Sequence, residues 1–185
     1  VNALYEYMTE MTDILLQYEG VLDSYEGDSI RGLFGAPNTY DDHAVKACLA
    51  ALDMQARLDV LNAEWDREGK PVMKTRIGLH SGTTMVGNFG SRQSENFSAI
   101  GDNAHIASSM EALNGIFGTH ILISGATYKA AQNAVEAYEI AAIRIPVSPD
   151  PIRIYEVVAR KGEMDDTETE MVSLFKEGYT LLKEG

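Results

Sequence analysis

The chain has 185 residues, 45% of them hydrophobic, which suits one domain with a sizeable core. A formal net charge of −13 disfavours nonspecific binding to nucleic-acid phosphates over most of the surface. A single cysteine, Cys48, excludes an intramolecular disulfide framework, and no apolar run approaches the roughly 20 residues that span a bilayer.

In chain order, Leu4, Met8, Met11, Ile14, Leu15 and Tyr18 recur at helical spacing and predict an amphipathic helix ending at Gly20. Val21 to Phe34 reads as two short strands around the turn Glu26-Gly27-Asp28, closed by Gly35-Ala36-Pro37. A long helix follows, from a cap at Asp41 or Asp42 to Arg67, and Cys48 falls in it among small residues as core filler. Val72 to Leu79 and Thr83 to Phe89 predict a second hairpin, hinged at His80-Ser81-Gly82. Ser91 to Asn96 reads as a loop and Phe97 to Ile100 as a short strand.

Gly101-Asp102 opens a helix with Ile106, Met110 and Leu113 as its buried stripe. Ile121 to Ser124 predicts a buried strand, Ala126 to Ala134 a short helix, and Val135 to Ile145 with Ile152 to Val158 a last strand pair. Residues 1–160 read as one domain and 161–185 as an acidic linker, Glu163 to Glu170, with a terminal amphipathic helix. That helix carries Met171, Leu174, Phe175, Tyr179 and Leu182, a face for local packing or for a second protomer. Hairpins interleaved with helices predict an α+β, ferredoxin-like fold: a mostly antiparallel sheet with helices packed on it.

Asp28 is the first candidate for chemistry. A carboxylate at a hairpin tip faces solvent, as a Mg²⁺ ligand must, although aspartate in a turn is also ordinary turn chemistry. The blocks Tyr25-Glu26-Gly27-Asp28, Phe34-Gly35-Ala36-Pro37 and Tyr40-Asp41-Asp42-His43-Ala44 resemble the class III adenylate/guanylate cyclases. The resemblance continues through Arg76 to Gly82, Val86 to Gly90, Ile100-Gly101-Asp102 and Gly118 to Ser124, in family order and spacing.

That resemblance implies a cyclic nucleotide formed from ATP or GTP with release of pyrophosphate, most simply cAMP from ATP, over Mg²⁺ or Mn²⁺. Of the family's two metal-binding aspartates, Asp28 matches the second. The first belongs to a strand ahead of the first helix, which the resemblance places upstream of Val1. Ser24 stands where family adenylate cyclases read the purine with a lysine, and Ser98 at the second purine-reading position. His105 and Ser109 stand where the family has an asparagine and, four residues on, an arginine. A serine hydroxyl supplies neither the arginine's permanent charge nor its fork of donors. His105 has two readings, a partly buried hydrogen-bonded histidine or a donor to the ribose.

His43, His80 and His120 match positions that read as structural, and Arg92 is either a solvated loop cation or a phosphate contact. Family members act as head-to-tail dimers whose sites draw on both chains. The resemblance therefore leaves three functions: an active cyclase, weak as a homodimer; a metal-donating half of a heterodimer; or a regulatory module without turnover. It also implies a cytoplasmic domain, with any membrane contact made through regions upstream.

Overall fold

The computed structural model describes residues 2–91 and 94–184. Helix α1 (Asn2–Gln17) buries Ala3, Tyr7, Met11 and Leu15, one residue per turn. Glu19 takes a left-handed φ of 61°, and the chain then enters the hairpin of β1 (Val21–Glu26) and β2 (Ser29–Leu33). Leu15 seats that hairpin: a Cβ added at Gly20 or Gly32 would lie 2.5 or 2.7 Å from its Cδ1. At Gly20 the Leu15 carbonyl oxygen, which is backbone, would also lie 2.8 Å away, so glycine is needed there, whereas at Gly32 the Leu15 side chain would have to shift.

Helix α2 (His43–Arg67) starts beside the expected cap, but the Asp42 side chain makes no capping bond. It pairs instead with Lys46, 3.4 Å away on the next turn. Ala44, Ala47, Cys48, Ala50 and Ala51 form its buried face, and their small side chains bring the helix close to the sheet. Farther along, Leu58, Leu61 and Trp65 pack on α1, and Trp65 Nε1 donates to Glu6 over 2.9 Å.

Next come β3 (Ile77–Leu79), β4 (Met85–Ser91), β5 (Ser94–Ile100), α3 (Asp102–Phe117) and β6 (Ile121–Ser124). The chain continues through α4 (Gly125–Ala131), β7 (Val135–Ile143), β8 (Ile152–Arg160) and α5 (Asp166–Glu184). The central sheet runs β3-β6-β8-β7, antiparallel except for the parallel β3–β6 pair. The α+β fold is as expected, with α2 and α4 packed on the sheet around Ile121, Ile123 and Val157. Ile106 and Met110 of α3 and Val172 of α5 join a second core with Leu122, Tyr138 and Ile154.

Three expectations need correction. Residues 72–76 form no strand, and β4 pairs with β5 rather than with β3, so the predicted second hairpin does not exist. Its two halves are both apolar, but β3 finds its partner in β6, across the chain. Secondly, Ser91 and Ser94 to Asn96 are strand rather than loop; Arg92 lies outside the described residues.

Thirdly, the acidic stretch is mostly helix. Asp165 Oδ1 accepts from the Glu168 amide over 2.7 Å and Glu168 Oε2 from the Asp165 amide over 2.9 Å. This reciprocal capping box starts α5 at Asp166, and its acidic first turn suits the positive end of the helix dipole.

Candidate nucleotide site

Strands β1 and β2 meet at Gly27, whose φ of 66° makes the turn that carries Asp28. Asp28 is exposed and forms no ion pair with a described residue, so its carboxylate is free for a cation. It stands alone. Among the described residues, no group of three or more His, Cys, Asp or Glu side chains is gathered as a closed metal site requires.

Below the tip, the pairing shifts between Leu22 and Ser24, which makes Asp23 a bulged residue. Sequence reasoning passed over Asp23, because nothing in an alternating pattern announces a bulge. Its side chain is 1% exposed, and Arg31 Nη1 stands 3.6 Å from Oδ2. Neither Asp23 oxygen has a hydrogen-bond partner among the described residues, and neither does the buried Ser24 Oγ. Arg31 is shared, with Glu26 Oε1 at 2.5 Å. Strand β1 packs against β5, where Ser98 faces Gly87 of β4.

His105 and Ser109 occupy successive turns of α3. His105 is exposed, so the reading of a partly buried histidine does not hold. Ser109 Oγ donates to the His105 carbonyl over 2.9 Å and is thereby turned along its own helix. No hydrogen bond or ion pair among the described residues links these two to Asp28 or Ser24. The first hairpin thus carries Asp28 and Ser24, and α3 carries His105 and Ser109.

The N-terminus of α3 is fixed by His80. Its Nδ1 lies 2.7 Å from Ser124 Oγ and its Nε2 2.9 Å from Asn103 Oδ1, while Asn103 Nδ2 donates to the Thr83 carbonyl over 2.7 Å. Burial holds the imidazole below its ordinary pKa, against the opposing pull of Asn103. One neutral histidine therefore ties together the ends of β3 and β6, the start of α3 and the approach to β4. The structural reading of His80 agrees with this geometry, although its partners were not legible.

Residues 1–157 match the family model described as the adenylate and guanylate cyclase catalytic domain. The chain belongs to the adenylate/guanylate cyclase family. It is 30% identical over 168 residues to "Adenylate cyclase 1" of Rhizobium meliloti (strain 1021), a match covering 91% of this chain and 25% of that protein. The chain therefore spans about a quarter of that relative. Among solved structures, the adenylyl cyclase CyaB from P. aeruginosa superimposes with a TM-score of 0.79 at 28% identity, covering 89% of this chain and 84% of that one. The guanylyl cyclase Cya2 gives 0.77 at 27% identity, with 90% and 83% covered. Adenylyl and guanylyl members of the family are thus about equally similar in structure.

Proposed function

We propose that this cyclase-family domain forms cAMP from ATP in a head-to-tail dimer, and that a homodimer of the chain turns over weakly. The exposed, unpaired Asp28 at a glycine turn carries this reading, because it offers a fixed carboxylate where a triphosphate needs its charge offset. Likeness to a relative named as an adenylate cyclase favours ATP. In the reaction the ribose 3′-oxygen bonds to the α-phosphorus and loses its proton, and the bond to pyrophosphate breaks.

One carboxylate fits a Mg²⁺ or Mn²⁺ ion that also binds phosphate oxygens and water; it does not fit a complete two-metal set. When bound, such an ion neutralises charge on the phosphates. The chain's own residues orient the nucleotide: Ser24 and Ser98 on the purine side, His105 and Ser109 on the ribose and phosphate side. His105 and Ser109 supply fewer donors than asparagine and arginine, and each preorganised donor lost costs about 10²–10³ in rate. For this reason a homodimer is weak.

A second reading is favoured by the histidine and serine at 105 and 109, where the family has asparagine and arginine: the chain donates its Asp28 side to a different cyclase chain. The test uses ATP and GTP with Mn²⁺ and measures cyclic nucleotide. It compares the chain alone with a mixture containing a cyclase chain that keeps asparagine and arginine on its α3 but has lost its hairpin aspartate. Slow cAMP from the chain alone supports the homodimer, and product only in the mixture supports the heterodimer. No product in either, with no nucleotide binding, overturns both and leaves a regulatory module.

A further inference from the structure

Helix α5 has two apolar faces, and the fold uses one. Val172 is buried, the Phe175 ring lies 4.9 Å from that of Tyr138, and Tyr179 Oη donates to Glu139 over 3.1 Å. These residues hold the helix on the sheet. On a neighbouring face, about 100° round the helix, stand Met171, Leu174 and Leu181, exposed by 45%, 62% and 71%. With Gly178, where an added Cβ would meet nothing within 4 Å, they are spaced by three, four and three residues.

That spacing is the a/d seam of a two-helix contact, running about 15 Å along the helix. Gly178 lets a second backbone come close. Glu170 and Glu177 border the seam, exposed and without an ion pair to a described residue. Lys176 stands off it, close enough to Glu136 to help hold that carboxyl below its usual range.

We propose that this outer face of α5 docks an amphipathic helix with an apolar seam and lysine or arginine at its edges, supplied by a basic partner. Charge complementarity selects this occupant over a second copy of the chain. An antiparallel copy would set Glu170 against Glu177, and a parallel copy would set Glu170 against Phe175, which is committed to its own core. An anionic membrane is repelled by the same glutamates and by the net charge of −13.

The test titrates the 185-residue chain with two synthetic helical peptides, both with leucine at a and d, one with lysine and the other with glutamate at e and g. The lysine peptide is expected to bind and the glutamate peptide not. Leu174→Asp with Leu181→Asp, both at exposed positions, is expected to weaken binding about tenfold or more, while Glu170→Lys with Glu177→Lys should reverse the choice of peptide. Circular dichroism checks that each variant keeps its fold. If the double aspartate variant binds the lysine peptide as well as the parent does, the attraction is mere net charge and the proposal fails. It fails equally if neither peptide binds. Self-association in sedimentation that Leu174→Asp abolishes would assign the face to a second copy instead.

Discussion

Two titratable side chains sit where their charged forms are disfavoured, with opposite consequences for stability. Glu156 is buried in β8 and accepts a short hydrogen bond from Tyr138, its neighbour in register on β7. Burial raises the carboxyl above its ordinary value, although the Tyr138 bond and the His120 backbone act against the shift. A raised folded-state value means that the stability Glu156 contributes is complete below about pH 4.5 and is lost as pH rises through the folded value. Tyr138→Phe leaves the carboxyl short of a partner and should cost about 1–3 kcal/mol in urea unfolding, whereas Glu156→Gln should remove the pH dependence.

His80 has the opposite sign. Its value is depressed by burial, so its contribution is present above about pH 6.5 and is lost as pH falls toward the folded value. Melting temperatures measured between pH 7.5 and 5 should fall, and His80→Gln should flatten the slope. Cys48, also buried, has its thiol pushed up to about 12 and belongs to the core alone.

Elements meet most tightly where β3 lies on α3. A Cβ on Gly78 would stand 2.1 Å from the Glu111 amide nitrogen and 2.5 Å from the Ala107 carbonyl oxygen, both helix backbone. Backbone cannot swing aside as a side chain can, so Gly78→Ala should destabilise by at least about 1–3 kcal/mol, read from the urea midpoint. At this scale the helices were legible because apolar residues repeat every turn, with Met11 and Leu15 in α1 and Ile106 and Met110 in α3 buried as expected, although α1 turns Ala3 and Tyr7 into the core and leaves the expected Leu4 exposed. Strand pairing was not. A run such as Ile77 to Leu79 is equally apolar whichever strand it joins, and only the packing of α3 shows that its partner is Ile121 to Ser124. The capping box at Asp165 and Glu168 was legible in principle, hidden in a stretch whose charge suggested a linker.

At the scale of the whole molecule, the candidate residues lie on different elements: Asp28 and Ser24 on the first hairpin, Ser98 on β5, His105 and Ser109 on α3. Asp28, Ser24, Ser98, His105 and Ser109 were picked out by motif spacing, which survives even where residues have changed. What was not legible is the surroundings: the Asp23 bulge that buries a carboxylate beside Ser24, and the outward aim of His105. His105→Asn with Ser109→Arg should restore the α3 side. Mixed with a cyclase chain that keeps its metal aspartates but lacks the asparagine and arginine of its own α3, the variant should raise cyclic nucleotide formation by about 10² or more over the parent, measured with Mn²⁺. An unchanged rate would place the deficit elsewhere.

The position of β8 has a consequence for how the domain is made. It is the last strand in sequence, yet it lies inside the sheet, between β6 and β7. It also reaches back to the turn after the first helix, where Arg160 donates to Tyr18 across 142 residues of sequence, as well as to Asp53. A nascent chain leaving the ribosome in order exposes the open edges of β6 and β7 until residue 160 has emerged. Folding during synthesis is therefore limited to local units such as α1, α2 and the hairpins β1–β2 and β4–β5, and closure of the central sheet waits until β8 has emerged.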